Sequence, residues 1–241
     1  MVAAAYAAGC GIDHIEAIAR SMRFRDVARW TLSWLGFAGS DRMVTFLKRL
    51  LKEDRFENMT TPLAIVATDL ATGQPVVFRD EGDVVVPIRA SCSYPGLFRP
   101  MRHGGRYLVD GAVSMEVPAK PLRDMGATRV ISVHLPNVVE SPDPDSMFAV
   151  VNRCFQVMSG RLQHEWRKHS DIVISPAVAG LSWDSFEDAT RLIELGEKAA
   201  LAALPGINRW LQPVARPLPA NEGASDNISL GNFEVALQSN R

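Results

Sequence analysis

Residues 63–68, Leu-Ala-Ile-Val-Ala-Thr, form an apolar run without charge or polar alternation, bounded by Pro62 and Asp69. Such a run is a strand buried on both faces, and it needs a layer of structure on each side. Residues 76–79 read as a second strand after a Thr-Gly turn. Further strands are expected at 106–109 and 129–135, and between them Pro118 can open a helix and Gly126 can close it. Strand, helix and strand within about 30 residues predict a βαβ unit with parallel pairing. Met147, Val151, Phe155, Met158 and Leu162 mark a long helix, followed by a strand at 171–174 and a closing helix over 185–204. The expected fold class is α/β, with three layers and a mostly parallel sheet carrying helices on both faces.

Helices dominate the amino-terminal part. The Ala-rich opening reads as the last turns of a helix stopped by Gly9. A second helix is expected with Asp13 as N-cap, Glu16 three residues on, and Ile12, Ile15, Ala19 and Met22 inside. Ser40 or Asp41 caps a third, in which Met43, Phe46, Leu47, Leu50 and Leu51 recur at helical spacing. Trp30, Trp34 and Phe37 are also at helical spacing, which fits either a core stripe or an apolar lip that docks on lipid. After Trp210 come Pro213, Pro217 and Pro219, then Asn, Gly and Ser. The chain therefore divides into an α/β domain over 1–210 and a Pro-rich linker with a weakly ordered tail over 211–241.

With 26 Lys plus Arg against 27 Asp plus Glu, the net charge is −1, and no concentrated basic face is present to hold nucleic acid. The longest uncharged stretches, 1–12 and 172–183, have 12 residues each, short of the roughly 20 that span a bilayer. The first residues carry no basic n-region of a signal peptide. Three widely spaced cysteines, Cys10, Cys92 and Cys154, suit free thiols and a cytoplasmic location. His164 and His169 would project about 140° apart on a helix, and there is no HExxH or CxxC, so neither a metal nor another cofactor is expected. Gly9-Cys10-Gly11 lacks the third glycine and preceding strand of a dinucleotide fingerprint.

The segment Tyr107-Leu108-Val109-Asp110-Gly111-Ala112 supports two readings. Asp-Gly after an apolar run is a strong hairpin signal. An aspartate at the end of a buried strand also stands where ligands bind in α/β sheets, and the glycine beside it permits close approach.

Four segments in order resemble the patatin-like phospholipase family in its bacterial form. They are Val66-Ala67-Thr68-Asp69-Leu70-Ala71-Thr72-Gly73, the stretch from Ile88-Arg89-Ala90-Ser91 through Pro95-Gly96 to Arg99-Pro100, Asp110-Gly111-Ala112 with Val117-Pro118, and Gly126-Ala127-Thr128-Arg129-Val130-Ile131-Ser132-Val133. The resemblance implies a serine lipid acyl hydrolase that cleaves esters of phospholipids or acylglycerols with a Ser-Asp dyad. Asp110 would be its base, with Gly111, Ala112, Ser91, Pro95 and Gly96 lining the site. It also implies a lipid substrate and peripheral contact with membranes. The family nucleophile stands in a G-x-S-x-G elbow between a strand and a helix, and no G-x-S-x-G occurs in this chain. Its opening helix resembles the one that follows the elbow, so the first strand and glycine-rich oxyanion loop are expected to be missing and the chain inactive. Ser91 and Ser93 lack the elbow and a local base, so neither replaces the nucleophile. Met115-Glu116 stands where relatives often carry asparagine. The alternative is a non-catalytic lipid-binding or regulatory remnant of the same fold. A nucleotide-binding domain is disfavoured by the lack of a Gly-rich phosphate loop.

Overall fold

A computed structural model describes residues 1–31, 36–136, 143, 146–179, 181 and 186–211. In chain order its elements are α1 (Val2–Ala7), α2 (Ile12–Ser21), α3 (Phe24–Val27), β1 (Arg29–Trp30), β2 (Ala38–Gly39), α4 (Asp41–Leu50), β3 (Ile65–Asp69) and β4 (Pro75–Phe78). They continue with α5 (Val85–Ser91), β5 (Met101–His103), β6 (Arg106–Asp110), α6 (Ala119–Asp124), β7 (Ile131–Val133), α7 (Met147–Arg167), β8 (Ile172–Ile174) and α8 (Ala189–Asn208). Trp34 lies outside the described residues, as does the tail expected at 211–241 apart from Leu211.

The α/β class holds, and strand direction differs from expectation. Four strands pair in the order β4-β3-β6-β5, every neighbour antiparallel. Connection length explains two of the three pairings. Only residues 70–74 join β3 to β4, with Gly73 at φ 70°, and Gly104 and Gly105, at φ 55° and 77°, turn β5 into β6. Both links are far shorter than the dozen or more residues a parallel crossover needs. Among the described residues, β7 and β8 form a parallel strand pair, joined across α7, and a single parallel bridge links Ala38 to Phe98. The helix-linked parallel unit therefore lies one strand later than expected, at β7-α7-β8 rather than β6-α6-β7.

Several local expectations agree with the structure. All five residues of β3 are buried, between its neighbours β4 and β6. Gly9 ends α1 at φ 78°, with its N–H on the Tyr6 carbonyl and the Cys10 N–H on that of Ala5. Pro118 precedes α6, and Gly126 follows it at φ 91°. Two expectations give way. The N-cap of α2 is Gly11, which leaves Asp13 inside the first turn and Ile12 exposed. Trp30 sits on β1, paired with Ala38 of β2, so the helical stripe does not form there.

Helices α1, α4 and α5 meet in the main core, where Ala5, Met43, Leu47, Val85 and Ile88 are buried together. A second cluster of Ala67, Ala90 and Leu108 fixes α5 against β3 and β6. Together they place the end of β6 beside the first turn of α1, which positions the candidate site.

Candidate active site around Asp110

Asp110 closes β6, opposite Ala67 in the antiparallel register. Its N–H bonds the Ser93 carbonyl at 3.0 Å, and its own carbonyl accepts from Thr68 Oγ1 at 2.9 Å. Thr68 is fully buried, and its hydroxyl also lies 2.8 Å from Ser114 Oγ. The backbone carrying Asp110 is thus tied to two other segments, those of Ser93 and Thr68. The chain then enters a 3-10 turn, Gly111–Val113, rather than a hairpin. Asp110 is the N-cap of that turn, with Oδ1 accepting the Ala112 N–H at 2.9 Å. The glycine beside it is required by close approach: a Cβ at 111 would fall on the Val66 carbonyl oxygen and 2.9 Å from its carbon.

The carboxyl faces a cavity of about 230 Å³ whose lining includes Met1, Ala3 and Ala4 of the first helix and Ile65, Val66, Ile88, Ser91, Cys92, Gly111 and Ala112. Apolar surroundings dominate its titration. Burial pushes the Asp110 carboxyl up to about 6, against the opposing bond from Ala112. Burial also pushes the neighbouring Cys92 thiol up and the Tyr94 phenol up to about 12, and the Asp110 charge adds to both. A thiol held protonated is a poor nucleophile, so Cys92 does not offer itself as a substitute for serine.

Of the residues proposed to surround Asp110, Ser91, Gly111 and Ala112 share its cavity. Pro95 and Gly96 lie in the turn after α5, and Gly96 faces Phe148 and Val151 of α7. Ser93 contacts Asp110 through its carbonyl, while its hydroxyl donates to the Arg89 carbonyl. A second polar group had no signal in sequence order. Glu116 Oε2 accepts from Trp166 Nε1 at 3.1 Å, Glu116 Oε1 lies 3.4 Å from Nε2 of buried His134, and the His134 and Trp166 rings stand 5.1 Å apart. Glu116 lines the Asp110 cavity as well as a second one against α7. Among the described residues, no group of three or more His, Cys, Asp or Glu side chains could hold a metal ion.

The profile of the patatin-like phospholipase family matches residues 1–123, just over half of the 241 residues. The chain belongs to that family. Its match covers β3, the Ser91 and Gly96 segment and Asp110. Among curated proteins, an uncharacterized NTE family protein of Mycobacterium bovis is 28% identical over 149 residues, which is 61% of this chain and 41% of the relative. One of Mycobacterium tuberculosis matches to the same extent. A further uncharacterized NTE family protein of Mycobacterium tuberculosis is 28% identical over 113 residues, 45% of this chain and 19% of its own length. This patatin-like chain thus aligns with about two fifths of the first relatives it matches.

Proposed function

We propose that Asp110 is the carboxylate of a Ser-Asp lipid acyl hydrolase. The observation that carries the proposal is the cavity that Asp110 shares with Met1, Ala3 and Ala4. A serine at the amino end of α1 would stand at that cavity. Its Oγ would attack the ester carbonyl as Asp110 takes the hydroxyl proton; the alcohol would leave with that proton, and water would then release the acyl group. A carboxylate raised to about 6 is still ionised at neutral pH and is basic enough to accept a proton. The substrates are phospholipid or acylglycerol esters. The nucleophile is not among the 241 residues, which contain no G-x-S-x-G, so these residues by themselves are inactive. The complete fold we propose is a three-layer, mostly parallel sheet to which the elbow strand belongs.

A fusion tests this. A glycine-rich loop, strand and G-x-S-x-G elbow from a patatin-like relative, joined ahead of Met1, should confer hydrolysis of p-nitrophenyl esters. Asp110→Asn should reduce that hydrolysis about 10³-fold. Activity indifferent to Asp110→Asn, or comparable hydrolysis by residues 1–241 alone, defeats the assignment. The missing motif favours a second reading, a lipid-binding remnant. An in-frame stop codon shortly upstream of Met1 would support it, and an upstream glycine-rich segment with an elbow would support the enzyme.

We place this activity in the cytoplasm, in peripheral contact with membranes. Among the described residues, no helix is long and apolar enough to cross one. Trp30 is 65% exposed on β1 and Phe37 is 52% exposed in the bend just before β2, a placement suited to an interfacial anchor. Trp30→Ala should weaken sedimentation with phosphatidylglycerol vesicles about tenfold; unchanged sedimentation removes the anchor.

A further inference from the structure

The second cavity, also about 230 Å³, runs between the 112–117 segment and α7, and it shares Ala112, Met115 and Glu116 with the Asp110 cavity. Its walls are mainly apolar: Val113, Met115 and Val117 on one side, and Phe155, Met158 and Leu162 on α7. The polar groups along it are largely committed. Trp166 donates its one N–H to Glu116, which leaves the indole ring as apolar wall. At the rim, Lys120 pairs with Asp124 at 2.6 Å, and Glu165 pairs with Lys168 at 2.6 Å.

We propose that this groove receives the hydrocarbon tail of the acyl group whose carbonyl is presented to Asp110. The inference rests on the reading of Asp110 as the carboxylate of an ester hydrolase, and it adds where the acyl chain of the substrate lies. Three features select a tail over a polar headgroup: the wall residues that the two cavities share, the apolar lining, and the pairing of the rim charges. The lining follows α7 from Phe155 to Trp166, at about 1.5 Å per residue, so a tail of several methylenes fits it better than a short one. Met158 and Leu162, on one face of α7 four residues apart, set that length.

Trp166 provides a reporter that needs no catalysis. Methyl 8-bromooctanoate, titrated into residues 1–241, should quench tryptophan fluorescence saturably, and Trp166→Phe should remove the saturable part. Methyl 3-bromopropionate should need at least tenfold more ligand. Leu162→Gln and Met158→Gln, each at a half-exposed position that tolerates a polar residue, should each weaken the octanoate ester at least tenfold with the far-UV circular dichroism unchanged. Linear, unsaturable quenching, or saturation untouched by both glutamine variants, overturns the groove. The two readings fail separately. Loss of saturable quenching while the elbow-bearing fusion still depends on Asp110 refutes only the tail groove. Saturable quenching beside hydrolysis indifferent to Asp110→Asn refutes only the catalytic reading.

Discussion

Asp110 holds its proton to a higher pH folded than unfolded, about 6 against an ordinary value of about 3.9. Between those values the folded state binds more protons, so stability falls as pH rises from about 4 to about 6 and stays lower above. Asp110→Asn keeps an oxygen for the Ala112 N–H and removes the buried charge. Thermal melts should therefore show it more stable than the parent at pH 8, with the gain shrinking to nothing below about pH 4; an equal shift at every pH would contradict the sign. Gly111→Ala has the opposite effect, because its methyl collides with the Val66 carbonyl, and it should cost about 1–3 kcal/mol in urea unfolding at neutral pH. The Asp-Gly-Ala signal was legible because the aspartate and its close-approach glycine are adjacent in sequence. The Glu116, His134 and Trp166 cluster was not, because each residue comes from a different element and only the fold assembles them.

At the scale of elements, the Arg123 side chain ties α6 to the segments that lead into β7 and β8. Arg123 donates to the carbonyls of Ala127, Thr128 and His169 and pairs with Asp171 at 2.6 Å. The Val130 N–H and then Arg123 hold the Asp171 carboxyl below its usual range. Arg123→Ala should lower the Tm by a few degrees, about the response of a domain this size to one lost contact. Hydrogen exchange should rise at Ile131–Val133 before β3; uniform exchange would show that the clamp is not local. Element positions were readable from Pro118, Gly126, Gly9 and the apolar run of β3. Strand direction was not, since a strand buried between two neighbours shows the same apolar run whichever way they point. The Gly104-Gly105 pair, rather than Asp110-Gly111, makes the hairpin. The helical spacing of Trp30 and Phe37 coincided with a short strand, β1, and the bend that leads into β2.

For the whole molecule, Ile131, Val133 and Leu135 project an apolar row to solvent, and α7 adds Met147, Val150 and Val157. Among the described strands β7 is bonded only to β8. A surface with contiguous apolar side chains beside a free strand edge invites association. Residues 1–241 should therefore elute as assemblies larger than a monomer in size exclusion with light scattering, and the elbow-bearing fusion should shift toward the monomer. A cooperatively melting monomer of the shorter chain would show that the row is tolerated. The tight passage of Val66 beside Gly111 also bears on descent. In homologues whose ester chemistry has lapsed, drift should convert the aspartate to asparagine, since its charge burdens the native state, while the glycine persists because no side chain fits there. Orthologues retaining both would be under selection for turnover, and those retaining only the glycine would preserve an architecture without its reaction.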